Sequence, residues 1–224
     1  MERTIVIGDV HGCYFELMAL LEEIRVRDTD RLISVGDLIA KGPANREVLE
    51  FVRHQRNCES VMGNNEHLLW QYYCGQKSKL EPAHYRTIAE LGKEFGDYMD
   101  MISRFPYYIE LGNYLVVHAG IRPGVPLQRQ TVEDLTRLRT LDYLGSGNRT
   151  GTPWFERYRG EKTVIFGHRA FDTPLIQPNA IGIDTGCVYG GSLTAVLLPE
   201  RRLVSIPAVR AYATKRGESP CLRE

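Results

Sequence analysis

Six side chains of the 224-residue sequence are of metal-binding types: Asp9, His11, Asp37, Asn64, His118 and His168. Each closes a short apolar run and has a glycine next to it or two positions away. Carboxylate and amide oxygens mixed with imidazole nitrogens suit manganese, iron or zinc better than calcium, which takes oxygen ligands almost exclusively. Six donors suffice for two ions if one carboxylate bridges them. Two ions roughly 3.5–4 Å apart can activate a water and clamp the attacking and leaving oxygens of a phosphoryl transfer. Taken singly, each residue has a simpler reading, as an Asx turn, a helix cap or a hydrogen-bonded histidine. The joint pattern carries the metal reading.

Residues so far apart in sequence meet only if the runs before them are strands of one construction. Thr4–Ile7 leads into GDVHG (8–12), 31–35 into Gly36 and Asp37, and 60–62 into Gly63 and Asn64. Tyr114–Val117 leads into His118, Ala119 and Gly120, and Thr163–Phe166 into Gly167 and His168. These runs are short and rich in β-branched residues, as strands are. Between the first of them, Leu17, Leu20, Leu21 and Ile24, then Val48, Leu49 and Val52, mark the apolar faces of two helices. Strand and helix in alternation predict an α/β fold, with ligands in the crevice outside the carboxyl ends of the strands. In the second half, 107–111 and Tyr114–Val117 read as a hairpin around Gly112 and Asn113, and 193–198 and 201–206 as another around Pro199 and Glu200. The expectation is two mixed β-sheets packed as a sandwich and flanked by helices, in a single domain spanning 1–224. Segment 75–104 reads as a helical, cap-like insertion punctuated by Gly75, Pro82, Gly92 and Gly96, and 212–224 as a loosely ordered tail.

Composition narrows the partners. The 28 basic and 28 acidic residues cancel, so no nucleic-acid surface is announced and a nuclease is disfavoured. The longest apolar runs are far too short to cross a bilayer. A strand-like run from Thr4 leaves no room for a secretory signal, so a cytoplasmic location is expected. The five cysteines, Cys13, Cys58, Cys74, Cys187 and Cys221, are odd in number, lack CxxC spacing and read as reduced thiols. His54 and His84 fall in helix-like stretches without glycine neighbours and read as solvated or structural.

Five ordered segments carry a family likeness. GDVHG (8–12), GDLIAKGP (36–43), GNNE (63–66), HAG (118–120) and Gly167-His168 resemble the motifs of the PPP-type, calcineurin-like metallophosphoesterases. IDTGCVYGGSLTAVLL (183–198) is similar to the closing strands of the bacterial members. That family includes serine/threonine protein phosphatases, small phage and bacterial phosphatases, and diadenosine tetraphosphate hydrolases. The resemblance implies two divalent ions, with manganese expected first and iron or zinc as alternatives. It assigns Asp9 and His11 to one ion, Asp37 as the bridge, and Asn64, His118 and His168 to the other, with a metal-bound hydroxide attacking phosphorus directly. It also implies phosphate contacts from Lys41, where the family usually has arginine, and from Arg139, with Arg122 a weaker third. Lysine would grip a phosphate less rigidly than a bidentate arginine.

The motifs also depart from the family. Its protein phosphatases typically read GNHE and GDxxDRG, and that His and Asp form the pair thought to protonate the leaving oxygen. Asn65 and Ala40 stand in those places here. Asparagine cannot deliver a proton near neutral pH, and general acid catalysis contributes about 100- to 10,000-fold. His67 is a possible substitute acid, although two residues along a helix point roughly 200° apart. The resemblance therefore implies a serine/threonine phosphatase-like phosphohydrolase as the family default. A bis(5'-nucleosyl)-tetraphosphatase is the alternative, whose anhydride leaving group needs no proton, and a metal-binding regulatory module with weakened catalysis is the second alternative.

Overall fold

A computed structural model describes residues 3–76, 78–141 and 150–214. One sheet has the order β11-β10-β1-β2-β3, formed by Arg202–Pro207 (β11), Ser192–Leu198 (β10), Thr4–Ile7 (β1), Arg31–Ser34 (β2) and Cys58–Ser60 (β3). A two-residue strand, Asp184–Thr185 (β9), pairs alongside β10. Strands β1, β2 and β3 run parallel, while β10 is antiparallel to both its neighbours β1 and β11. The second sheet has the order β4-β5-β6-β8-β7, from Tyr108–Leu111 (β4), Tyr114–Val117 (β5), Thr163–Phe166 (β6), Ala180–Gly182 (β8) and Leu175–Gln177 (β7). It is also mixed, with β5, β6 and β8 parallel and the two outer pairs antiparallel.

Successive side chains in a strand point to opposite faces, and that alternation builds the layers. Val6, Ile33, Val116, Ile165, Ile181 and Val196 fill the space between the sheets. Their strand neighbours Ile5, Ile7 and Leu32 face outward onto Tyr14–Ile24 (α1) and Asn45–His54 (α2), through Leu17, Leu20, Val48 and Leu49. On the far side Leu115, Val117, Val164 and Phe166 pack beneath Leu135 of Val132–Arg137 (α6) and Trp154 and Phe155 of Trp154–Arg157 (α7). The result is a helix, sheet, sheet, helix sandwich, matching the expected α/β architecture.

Within segment 75–104 the described helical residues run from Pro82 to Ile102. After Asn64–Tyr73 (α3) come Pro82–Leu91 (α4), a 3₁₀ turn over Gly92–Glu94 and Phe95–Ile102 (α5). Pro82 opens α4 at a position where its missing N–H costs nothing. Helix α4 is tied to α2 by Glu90, whose carboxylate accepts from the Arg46 backbone N–H at 2.8 Å and from Asn45 Nδ2 at 2.6 Å. Arg46 in turn donates to the carbonyls of Glu90 and Leu91 at 2.9 and 2.7 Å. These bonds satisfy terminal backbone groups of both helices.

One strand differs from expectation. The third run forms β3 over Cys58–Ser60 rather than 60–62. After Val61, whose N–H still reaches Ser34, the chain leaves the sheet and Met62 N–H bonds Pro106 at 2.8 Å. Val61 and Met62 remain fully buried, so burial alone could not mark where pairing stops. The tail proposed for 212–224 lies largely outside the described residues.

Trp154 anchors the turn that carries His118. It is buried, its Nε1 donates to Ala119 at 3.1 Å, and its ring lies where a Cβ on Gly120 would sit. Replacing a buried Trp by Ala costs about 3–5 kcal/mol. Trp154→Ala is therefore expected to lose about that much stability in urea unfolding, and a loss below about 1 kcal/mol would contradict this packing role.

Candidate metal centre

The six predicted ligands come from the carboxyl ends of strands in both sheets. Asp9 and His11 follow β1, Asp37 follows β2, Asn64 opens α3 after β3, His118 follows β5 and His168 follows β6. The backbone bends hard to aim them. His11, Asp37 and His168 have φ of 48°, 51° and 64°, and Lys41 has 75°. Non-glycine residues avoid this left-handed region at a cost on the order of 1–3 kcal/mol each, and strain of this kind gathers at functional sites. Close approach also demands glycine: a Cβ on Gly167 would lie 1.9 Å from Asp9 Oδ1, and one on Gly63 2.2 Å from the Asp37 backbone nitrogen.

The donors converge. Asp9, Asp37 and His118 each place a ligand atom within 4.8 Å of the other two. His11 Nε2 is 3.4 Å from Asp37 Oδ2 and 3.9 Å from Asp9 Oδ2, and His118 Nε2 is 3.5 Å from Asp37 Oδ1. The His118 and His168 rings lie 5.0 Å apart between centroids. Backbone N–H of His168 reaches both Asp9 oxygens at 3.2 and 3.1 Å.

Hydrogen bonds fix which ring nitrogens are free. His11 Nδ1 faces the Ile39 carbonyl at 3.0 Å and His118 Nδ1 the Val35 carbonyl at 2.9 Å. A carbonyl only accepts, so both rings carry their proton on Nδ1 and leave a lone pair on Nε2, the arrangement that outer partners impose on metal-binding histidines. His118 Nε2 then lies 3.0 Å from the Asn64 carboxamide with its lone pair turned toward that side chain, so that an imidazole nitrogen and an amide oxygen can be offered to one cation. His168 Nε2 is buried without a hydrogen-bond partner, a rare condition for a buried polar atom. On these grounds the residues fit divalent ions.

Charge points the same way. Burial keeps the imidazoles neutral: His11 falls to about 3, with Lys41 adding to the effect, and His118 and His168 are lowered as well. Asp9 is raised well above the usual carboxylate range by burial and by the neighbouring Asp184 and Asp37. Burial opposes the charge on Asp37 too, yet its pKa is held low, with the Lys41 ammonium and the Asn65 N–H among the groups that favour the charged form. Buried carboxylates beside neutral rings leave the site short of positive charge. Lys41 supplies part of it. Its ammonium donates to His11 Nε2 at 2.8 Å, and although burial works against its charge, Asp37, Tyr189 and Asp9 raise its pKa.

Among the other expected contacts, Arg139 borders the cavity over these residues, a space of about 650 Å³, and donates to the His168 carbonyl at 2.9 Å. The structure does not bring Arg122 there. Its guanidinium is committed to Asp134, at 2.6 and 3.1 Å, and stays out of the cavity lining. His67 also turns away, packing against Trp70 and Tyr107, whose hydroxyl lies 3.2 Å from its Nδ1.

Several residues given no role by sequence now stand at the site. Glu66, of GNNE, is fully buried and accepts from Asp37 N–H at 2.9 Å and Ile39 N–H at 3.1 Å, bracing the second motif. Asp184, of IDTG, borders the cavity with Arg86 and Arg137. It repeats the pattern of strand, acid and glycine, a signal that could have found it. His84 is buried and borders the cavity, where a solvated or structural role was expected; nothing in its local sequence marks it.

Opposing pH dependences follow. Depressed imidazole pKa values mean that the unfolded chain binds more protons, so their contribution is held above the ordinary value of 6.5 and lost as pH falls toward about 3. Raised carboxylates do the reverse: their contribution is full below the ordinary 3.8–4.5 and lost as pH rises, up to about 8 for Glu66, which burial and Asp37 push up. Above pH 6.5 only the carboxylates still act. The metal-free protein is expected to melt several degrees lower at pH 8.5 than at pH 6.5, and added Mn²⁺ should shrink the gap. Equal melting temperatures without metal would contradict this electrostatic account.

Comparison with known proteins places these features in a family. The model for the calcineurin-like phosphoesterases matches residues 2–206. The bis(5'-nucleosyl)-tetraphosphatase PrpE [asymmetrical] of Halalkalibacterium halodurans is 33% identical, over 94% of this chain and 96% of that protein. Its Bacillus subtilis counterpart is 31% identical over 94% and 97%. A crystal structure of a candidate diadenosine tetraphosphatase superposes with a TM-score of 0.80 at 31% identity, covering 92% of this chain and 94% of that one. A serine/threonine phosphatase from Saccharomyces cerevisiae shares the fold alone, with a TM-score of 0.63 at 15% identity, covering 92% and 79%. With the match running across both sheets and through every strand end that feeds the cluster, the chain belongs to the calcineurin-like phosphoesterases, metal-dependent hydrolases of phosphoric esters and anhydrides.

Proposed function

We propose that the protein is a dinucleoside tetraphosphate hydrolase that cuts the phosphoanhydride bridge asymmetrically, releasing a nucleoside triphosphate and a monophosphate. Full-length likeness to the PrpE tetraphosphatases supports this over the protein-phosphatase default. The observation within the molecule that carries it is the charge around the cavity. Lys41, Arg86, Arg137 and Arg139 line the same space as His11, Asp37, Asn64 and His168, more positive charge than one phosphoryl group needs and well matched to a chain of phosphates.

In this reading Asp9, His11, Asp37, Asn64, His118 and His168 hold two divalent ions, with manganese first and iron or zinc next. The ions supply Lewis acidity, lowering the pKa of water and neutralising charge on phosphate oxygens. Lys41 and Arg139 orient the polyphosphate, and α4 and α5 cap the site within one domain spanning 1–224. Asn65 and Ala40 stand where the protein phosphatases have their acid pair, and an alkoxide leaves poorly without a proton while a phosphate leaves as a stable anion. No helix among the described residues is long and apolar enough to cross a membrane, and a cytoplasmic location accords with a soluble nucleotide substrate.

The test is a panel of diadenosine tetraphosphate, p-nitrophenyl phosphate and a phosphoserine peptide with Mn²⁺. The dinucleotide is expected to exceed the peptide in kcat/KM by on the order of 100-fold or more, the scale of a general acid's contribution, with ATP and AMP as products. Asp37→Asn should abolish turnover of all three. A peptide preferred to the dinucleotide would overturn the substrate assignment, and an Asp37→Asn variant as active as the parent would favour a non-catalytic module.

A further inference from the structure

His84 and Asn65 form a polar relay that no motif predicts. Asn65 is buried, and its Nδ2 donates to Asp37 Oδ2 at 2.6 Å while its backbone N–H donates to Asp37 Oδ1 at 3.0 Å. The carboxylate only accepts, so the nitrogen side of the Asn65 amide must face Asp37 and its oxygen must face away. That oxygen meets His84 Nε2 at 2.8 Å. His84 Nδ1 accepts the Glu81 backbone N–H at 3.0 Å, which puts the ring proton on Nε2, where it donates to Asn65. Each link admits one direction only: Glu81 N–H to His84, His84 to Asn65, Asn65 to Asp37. Burial lowers the His84 pKa and favours its neutral form.

Both side chains border the cavity, and Asn65 Nδ2 carries a second N–H besides the one given to Asp37. We propose that His84 is a positioning residue that locks the Asn65 carboxamide as a neutral hydrogen-bond donor to the departing phosphate oxygen, suiting the site to leaving groups that depart as anions. The proposal rests on the anhydride-hydrolase reading of the same site. In the reaction a water oxygen bonds to phosphorus, the bridging P–O bond breaks, and its electron pair leaves on the departing phosphate. The water's surplus proton passes to solvent. Asn65 gives a hydrogen bond to the leaving oxygen and transfers no proton, which separates this device from a histidine acid.

The experiment is a double-mutant cycle on the Mn²⁺-loaded enzyme with His84→Ala, Asn65→Ala and the double variant, plus His84→Gln, whose amide can still donate to Asn65. Melting temperature and bound metal are measured for each. His84→Ala is expected to lower kcat on diadenosine tetraphosphate roughly 10-fold, the scale of one hydrogen bond, with KM within about twofold. His84→Gln should recover most of that loss, and the double variant should be no slower than Asn65→Ala. The kcat–pH profile should keep its shape in His84→Ala.

Additive losses, no recovery by glutamine, a loss confined to KM, depleted metal or a vanished basic limb of the pH profile would each overturn the proposal. Should His84→Ala fail to fold, His84→Gln against Asn65→Ala decides, because equal loss in both removes the donor role. If the parent enzyme ignores the dinucleotide but cleaves p-nitrophenyl phosphate, the substrate reading fails by itself, and the same cycle run on the aryl phosphate still judges the relay.

Discussion

A cluster of buried carboxylates governs this molecule. Asp9, Asp37 and Asp184 are nearly inaccessible to water, and the imidazoles around them are held neutral by the same burial. An arrangement like this is expensive unless cations enter it. Lys41 brings one charge from the second motif, and the ligand geometry leaves room in chemical terms for divalent ions to bring the rest. The left-handed backbone at His11, Asp37, Lys41 and His168 shows what the fold spends to keep this charge together.

Much of this was legible in the sequence because strands announce themselves by composition and the site lies at their ends. Five apolar runs closing on glycine and a polar residue gave the six candidate ligand positions, and those positions follow strands of both sheets in the folded chain. Contacts that depend on one segment lying over another were not legible. His84 reaches Asn65 only because Glu90 and Arg46 dock α4 onto α2, and periodicity within α4 says nothing of that. Arg122 shows the converse: it follows HAG closely in sequence, yet an acid twelve residues on captures it.

The departures from the family motifs acquire a physical meaning in this setting. With Asn65 in place of histidine, Asp37 receives two hydrogen bonds from one residue at the N-terminus of α3, where the helix dipole also favours negative charge. The Asp37 carboxylate is thus held by the Asn65 amide and backbone N–H, on a segment whose own N–H groups Glu66 accepts, without any proton that could be delivered. On the proposed reading, a site arranged in this way suits leaving groups that are stable anions, and its cationic rim suits substrates with several phosphates.

The most direct measurement is anomalous diffraction at the manganese edge from crystals grown with Mn²⁺. Peaks flanked by Asp9, Asp37 and His118, with one against His168 Nε2 and with the Lys41 ammonium displaced from His11 Nε2, are what this account predicts. Absence of anomalous signal there at saturating metal, with Lys41 still seated on His11, would contradict it.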